Sequence, residues 1–434
     1  MEERIQQAYI EILQSELLPA MGCTEPIAVA YAGALARKTL GTLPDQVKLV
    51  VSGNIIKNVK SVIVPHTGGG KGLRTAVAAG VCFGNADKSL EVLSQVTEEG
   101  LAAMNRFLAE RQITVEQSSA SCPFDIQVSL SGGGHTAFVR LVGNHTNVVR
   151  VERDGKVLQQ RPFSEEATPA PENRKLLNVK DIVTFADEVE TDRVQEVLQR
   201  QVDYNMAIAE AGLRGHYGAE VGKILLHSYG TSVQNRAKAY AAAGSDARMN
   251  GCELPVVINS GSGNQGITAS VPVIIYAKEC GVSQEKLYRA LLVSNLVAIH
   301  LKTGIGCLSA YCGATSAGAG AGAGICYLYG GGYAEISHTI VNALAINSGM
   351  ICDGAKASCA AKIASAVEAG LLGMQMNLHD SQFYGGDGIV VKGVENTIQA
   401  VSAIARDGMR STDAEILHIM MENGDSTGHC AAEE

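Results

Sequence analysis

The 434-residue chain has no tryptophan and only seven phenylalanines. Large aromatic anchors therefore cannot build its interior. Ala, Val, Ile and Leu must fill it, and 48 glycines permit close backbone approach. Basic residues are outnumbered, 35 against 44 acidic, for a net charge of −9, and no basic run or aromatic-interleaved basic patch occurs. That excludes nucleic acid as a general partner. The start, Met-Glu-Glu-Arg-Ile, is not a basic region leading into an apolar run, so no export signal is read and the cytoplasm is the expected setting. Eleven cysteines, an odd number, argue against a disulfide framework and leave the thiols for metal, catalysis or burial. Residues 302–335 carry no charge between their ends, yet glycine stands where a membrane span would have Leu or Phe. A tightly packed helix pair is expected there and no membrane contact.

What is present centres on Gly349–Cys359, Gly-Met-Ile-Cys-Asp-Gly-Ala-Lys-Ala-Ser-Cys. Cys352 and Cys359, with Cys307 upstream, are read as ligands of one iron–sulfur cluster. Three thiolates would leave one iron of a [4Fe-4S] cluster open as a Lewis acid. Seven residues of continuous helix would hold the two sulfurs about 10.5 Å apart in rise. Gly354 is therefore expected to turn the chain, with Cys352 on a loop and Cys359 in the first turns of a helix starting near Ala355. Two buried, inert cysteines are the plain alternative.

Along the chain, residues 3–18 read as a helix, Met21-Gly-Cys-Thr-Glu-Pro26 interrupts it, and a second helix follows with Thr24 as its cap. Cys23 thus precedes a helix N-terminus, which would lower its thiol pKa and suit a base or nucleophile. A small residue in a tight turn is the alternative. Between Val47 and Leu158 the pattern is α/β, with strands expected at 47–52, 55–64, 113–117, 125–131, 136–142 and 147–152, and helices at 72–81 and 88–109. Residues 161–178 look like a linker, and beyond Val179 helical periodicity dominates. The expected fold is α+β: N-terminal helices carrying Cys23 (1–44) packed on the helical half, an α/β module with linker (45–178), and a mainly helical catalytic domain (179–434).

Pro255–Asn259 is a short apolar run ending in Ser260-Gly-Ser-Gly-Asn-Gln-Gly266. The glycines match G-x-G-x-x-G, but the segment after Cys280 reads as another helix, so the βαβ context of a dinucleotide site is missing. Ser260, Ser262, Gly263, Asn264 and Gln265 are instead expected to line a pocket for a small carboxylate. Asp246-Ala-Arg-Met-Asn250 reads either as part of that pocket or as a cap with surface charge.

Asn259-Ser-Gly-Ser-Gly-Asn-Gln-Gly, Gly306-Cys307 before a small-residue helix, and Cys352-Asp-Gly with Cys359 together resemble the iron–sulfur serine dehydratase alpha-chain family, in order and over nearly the full length. Met21–Pro26 and the Cys-x6-Cys spacing resemble its L-cysteine desulfidase branch. The resemblance implies a [4Fe-4S] enzyme converting L-cysteine and water to pyruvate, ammonia and hydrogen sulfide, with Cys307, Cys352 and Cys359 as ligands and Cys23 as proton acceptor. L-serine remains an alternative substrate. Pyridoxal phosphate on Lys71 or Lys356, and a non-catalytic ligand or zinc site completed by Cys312 or Cys430, are the rival readings. Cys430 could also plug the cluster at rest. The expected partner is a small amino acid, and homo-oligomerisation is left open.

Overall fold

The computed structural model describes residues 1–120, 122–163, 171–306 and 308–422. Cys307 and Cys430 lie outside the described residues. The fold is α+β. It opens with α1 (Glu3–Glu16), a short strand β1 (Pro19–Met21) and α2 (Thr24–Leu40). A six-stranded sheet follows, formed by β2 (Gln46–Val51), β3 (Gln112–Gln117), β4 (Asp125–Gly132), β5 (His135–Val142), β6 (Val148–Arg153) and β7 (Lys156–Gln160) in the order β3-β2-β4-β5-β6-β7. Only the β2–β3 pair is parallel. Alternation puts Leu49, Val128 and Val139 on the inner face, and α2 packs on β4 and β5.

Between β2 and β3 run α3 (Gly53–Val59), α4 (Gly72–Phe83) and α5 (Glu98–Glu110). The expected strand at 55–64 is the helix α3. Its β-branched residues, Ile55, Ile56 and Val59, fall at helical spacing, and Ile55 and Val59 bury one face. The expected helix 88–109 is a short 3-10 turn followed by α5, because Thr97 caps a fresh start by accepting from Gly100 N–H. β7 was not expected.

The second half is helical: α6 (Val179–Glu188), α7 (Gln195–Arg214), α8 (Val221–Tyr229) and α9 (Val233–Met249) precede a three-residue strand, β8 (Pro255–Val257). Gly230 breaks what the periodicity reads as one helix over 216–243. Then come α10 (Gly263–Cys280), α11 (Gln284–Ile305), α12 (Gly313–Leu328), α13 (Tyr333–Ile346), α14 (Cys359–Leu378), α15 (Val394–Ala403) and α16 (Arg410–Glu422). Among the described residues no helix is long and apolar enough to cross a membrane.

The glycine-rich α12 lies between α11 and α14. A Cβ on Gly318 or Gly322 would stand 2.3 or 2.5 Å from the carbonyl oxygens of Ala366 and Gly370 in α14. On Gly320 or Gly324 it would meet those of Ser294 and Ala290 in α11 at 2.5 and 2.8 Å. The alternating glycines are two i,i+4 ridges, each letting one neighbouring backbone come close.

The chain ends of the site are tied across the fold. β1 pairs antiparallel with β8, Pro19 opposite Val257 and Met21 opposite Pro255. Tyr9 donates to Leu176 O at 2.9 Å, and its ring packs on Phe185 of α6. Thus α1 and β1 lie on the helical half, while α2 lies on the sheet.

Candidate active site

Cys23 and the 260–266 loop follow the two strands of the short antiparallel β1–β8 ribbon, which leave it at opposite ends, so a contact beyond the ribbon has to join them. Thr24 Oγ1 donates to Gly261 O at 2.9 Å and closes the gap between them. Asn259 and Ser262 exchange backbone hydrogen bonds of 3.1 and 3.0 Å around Ser260 and Gly261, whose φ angles of 50° and 77° are both left-handed. This is the two-residue turn that needs such angles at both centres. A buried amide network holds it: Gln201 and Asn295 exchange side-chain hydrogen bonds, and Asn259 Nδ2 donates to Asn295 Oδ1 at 3.0 Å. Gly266 lets α10 approach β8, since a Cβ there would stand 2.0 Å from Val257 O. The loop is thereby a fixed platform ending in a helix N-terminus.

On the opposite wall, Cys312 caps α12 and Cys352 lies on the loop before α14. Tyr311 and Ile351 form an antiparallel bridge, and Cys352 N donates to Ala310 O at 2.6 Å. This sets the Cys312 and Cys352 side chains together, close enough for each thiol to shift the other's titration. Cys359 is the first residue of α14. The helix therefore starts four residues later than expected, but Gly354 does turn the chain, at φ 94°. Its missing side chain matters twice, because a Cβ would stand 2.2 Å from Lys57 O.

These walls enclose one cavity of about 110 Å³. Cys23, Ser260, Ser262, Asn264, Gln265, Cys352 and Cys359 all line it, with Cys312. Gly263 lies behind the wall, where a Cβ would stand 2.3 Å from Arg248 Nε. Neither Lys71 nor Lys356 lines the cavity. Lys356 is folded back, its Nζ donating to Asp353 O at 3.1 Å.

Electrostatics divide the site. Cys23 is buried, and its thiol donates to Glu25 Oε2 at 3.1 Å. Burial first, then the Glu25 carboxylate, push this thiol well above its ordinary range, against an opposing pull from Arg248. The lowering expected from the helix N-terminus is overridden by burial and by the Glu25 carboxylate. Burial alone would also raise the Glu25 carboxyl. The His145 imidazole and the hydrogen bond from Cys23 outweigh that and hold it at about 2. His145 Nε2 stands 3.9 Å from Glu25 Oε1, beyond hydrogen-bond reach. Across the cavity the neighbouring Cys312 thiol, with Lys57 and Lys302 nearby, brings Cys352 down to about 6 against the cost of burial.

Glu25, Lys57, His145 and Lys302 also line the cavity and were missed in sequence. Arg248 belongs to it as well, the one residue of the polar stretch 246–250 to line it, while Asp246 is buried beside α8. Glu25 had a local signal, two residues from Cys23. His145 had none: it sits on the turn joining β5 to β6 and arrives only through the packing of the sheet, its ring edge-on to Phe124 at 4.9 Å.

The chain is 53% identical to a UPF0597 protein of Desulfitobacterium hafniense, over 97% of this chain and 98% of that one. It is 50% identical to a UPF0597 protein of Lachnoclostridium phytofermentans, over 95% and 99% of the two chains. A UPF0597 protein of Treponema denticola is 47% identical, over 96% and 98%. Residues 87–418 match the model of the serine dehydratase alpha chain, which includes the loop at 260–266, Cys312, Cys352 and Cys359. This protein belongs to the serine dehydratase alpha chain family.

Proposed function

We propose that the chain is an iron–sulfur lyase that eliminates the β-substituent of a small L-amino acid, with L-cysteine as substrate. L-Cysteine and water would give pyruvate, ammonia and hydrogen sulfide. The observation that carries this reading is that Cys23, the 260–265 loop and three thiols share one cavity.

The donor set suits a cluster. Thiolate is the usual ligand of iron–sulfur centres, and Cys312, Cys352 and Cys359 stand on one wall beside the buried ammonium groups of Lys57 and Lys302. Such cations offset the negative charge that a thiolate-bound cluster brings into a dry site. Among the described residues no three His, Cys, Asp or Glu side chains converge as a single metal ion would need. A four-iron cluster takes its thiolates at separate irons. Cys352 and Cys359 are its proposed ligands. The third is Cys312, the thiol that meets Cys352, with Cys307 as the alternative. When bound, the cluster would supply a Lewis-acidic iron with affinity for a leaving sulfur.

The chain's own groups would do the rest. The loop and the N-terminus of α10 would hold the substrate carboxylate. Cys23 Sγ would take the Cα proton once its own proton has left, a general-base role. Loss of the β-substituent then gives aminoacrylate, which tautomerises and hydrolyses unaided.

Anaerobic purification, iron and acid-labile sulfide analysis, and assay of pyruvate with L-cysteine and L-serine test this together. Iron with sulfide release from L-cysteine is expected. Pyruvate from L-serine alone would establish dehydration instead, and absence of iron after anaerobic preparation would overturn the cluster. Cys312→Ser should lose the iron while Cys307→Ser retains it. The reverse result would restore Cys307 as the ligand.

A further inference from the structure

Four buried polar atoms on this cavity have no hydrogen-bond partner among the described residues: Arg248 Nε, Gln265 Oε1, His145 Nε2 and Tyr311 Oη. Their side chains are only 2, 7, 6 and 1% exposed. A buried polar group left unpaired costs about 1–3 kcal/mol, so four on one small cavity signal a ligand that pairs with them.

The charges around that gap are arranged as a pair. Arg248, at the C-terminal end of α9, spends one Nη1 hydrogen on Asn264 Oδ1 at 3.1 Å and packs its Nε against Gly263, where that N–H has no hydrogen-bond partner among the described residues. Glu25 stands on α2 and is only 13% exposed. Its Oε2 accepts from Cys23 and Thr24, each at 3.1 Å, while Oε1 has only the distant His145. Cys23 lies between the two. It is bonded to Glu25 and packed on Met249, the residue after Arg248.

We propose that Arg248 and Glu25 are the specificity-determining pair for a free α-amino acid, Arg248 joining the adjacent loop in receiving the carboxylate and Glu25 taking the ammonium. The inference rests on the amino-acid lyase reading above and names how that site recognises its substrate. A guanidinium edge matches a carboxylate with two parallel N–H donors. The only atom bearing both carboxylate and ammonium is Cα, so seating them on Arg248 and Glu25 sets Cα over Cys23 Sγ. The β-substituent is then the branch left to face Cys312, Cys352 and Cys359. N-acyl amino acids and 2-hydroxy acids, lacking the ammonium, would leave Glu25 buried without a counter-charge and should be refused.

The test is calorimetric binding to the anaerobic holoenzyme of L-alanine, which has no β-leaving group, and of propionate, which lacks the ammonium. Wild type should bind L-alanine at least tenfold more tightly than propionate. Arg248→Met, of similar volume, should weaken both by roughly 10- to 100-fold, the worth of a charge-assisted hydrogen bond, and Arg248→Lys should recover part of it. Glu25→Gln should weaken L-alanine by a similar factor and leave propionate unchanged, a split that general misfolding would not produce. Iron content at the wild-type level confirms that each variant retains its site. The pair is overturned if Arg248→Met with full iron binds L-alanine within threefold of wild type, if Glu25→Gln weakens both ligands alike, or if wild type does not distinguish them. Failure of the lyase reading looks different: the binding pattern would hold while neither L-cysteine nor L-serine yields pyruvate. Conversely, Arg248→Met turning over substrate at wild-type KM would sink the pair and leave the lyase intact.

Discussion

Asp246 lies in α9, 1% exposed, beside the start of α8, and its Oδ2 accepts Gly222 N–H at 3.4 Å. Burial raises its carboxyl from 3.8 to about 6, with the backbone N–H groups of Gly222, Val221 and Ala219 offsetting part of the cost. At low pH, with both states protonated, the group takes nothing from stability. As pH rises the unfolded chain releases the proton near 3.9 while the folded protein keeps it. Each unit then removes about 1.36 kcal/mol until the folded group also ionises. Stability from this residue is thus present below its unfolded pKa and lost as pH climbs through about 6. Asp246→Asn keeps an acceptor for Gly222 and does not titrate. Between pH 4.5 and about 6 the variant should gain roughly 2 kcal/mol over wild type, about 1.5 units at 1.36 each, and hold that advantage to pH 7.5. Urea unfolding of both proteins at matched pH measures it, and taking the difference removes every other titrating group. A difference that stays flat, within about 0.5 kcal/mol, would refute the buried-charge account of Asp246.

Gly354→Ala places a Cβ 2.2 Å from Lys57 O at a φ of 94°. Overpacking and left-handed strain together should cost about 2 kcal/mol or more, read as a lower Tm, and an unchanged Tm would mean the loop yields freely. Cys23→Ala should retain iron and L-alanine binding yet lose α-proton exchange and turnover by at least roughly 100-fold; wild-type exchange in deuterium oxide would move the base elsewhere. In wild type, because burial and Glu25 raise the Cys23 thiol, turnover should climb with pH beyond the usual thiol range, and a rate that is flat above pH 7 would contradict a thiol-derived base. Asp413→Asn removes the counter-charge of Lys57, which is 2% exposed, while Asp413 is 23% exposed. A loss of about 1–3 kcal/mol in urea unfolding is expected, less than for a fully buried pair, and no loss would show that Lys57 finds other partners.

The architecture was legible wherever one periodicity ran long enough. The alternation of β4 and β5 and the helices of the second half follow directly from spacing. Sequence failed at α3, where a β-branched run suits strand or helix equally until Ile55 and Val59 are seen to bury one face together. It failed again at β1 and β8, three residues each, too short to show any period. The two segments that follow them, the Cys23 turn and the 260–266 loop, meet through the Thr24–Gly261 hydrogen bond, so composition could suggest the two motifs but not what joins them. Arg248 was readable as a residue and ambiguous as a role, because whether a helix end faces water or a cavity depends on what packs over it. Whether Cys312 approaches Cys352 was left open in sequence, since a count of spacings does not register the bridge between Tyr311 and Ile351.

The alternating glycines of α12 give the two walls of the cavity different stiffness. Where α12 meets α11 and α14, backbone rests on backbone, with no side-chain torsion able to absorb a displacement. Cys312 and Cys359 begin two of those helices, so the sulfur wall behaves like the jaw of a fixed vice, and a methyl group added at Gly318 would act as a shim felt at the far end of the lever. On the facing wall the 260–266 loop is also fixed, and only side chains such as Arg248 and Cys23 can adjust by rotation. Substrates of differing size should therefore be accommodated by movement of the Cys23–Arg248 side alone, with the spacing of the thiols constant from one ligand to the next.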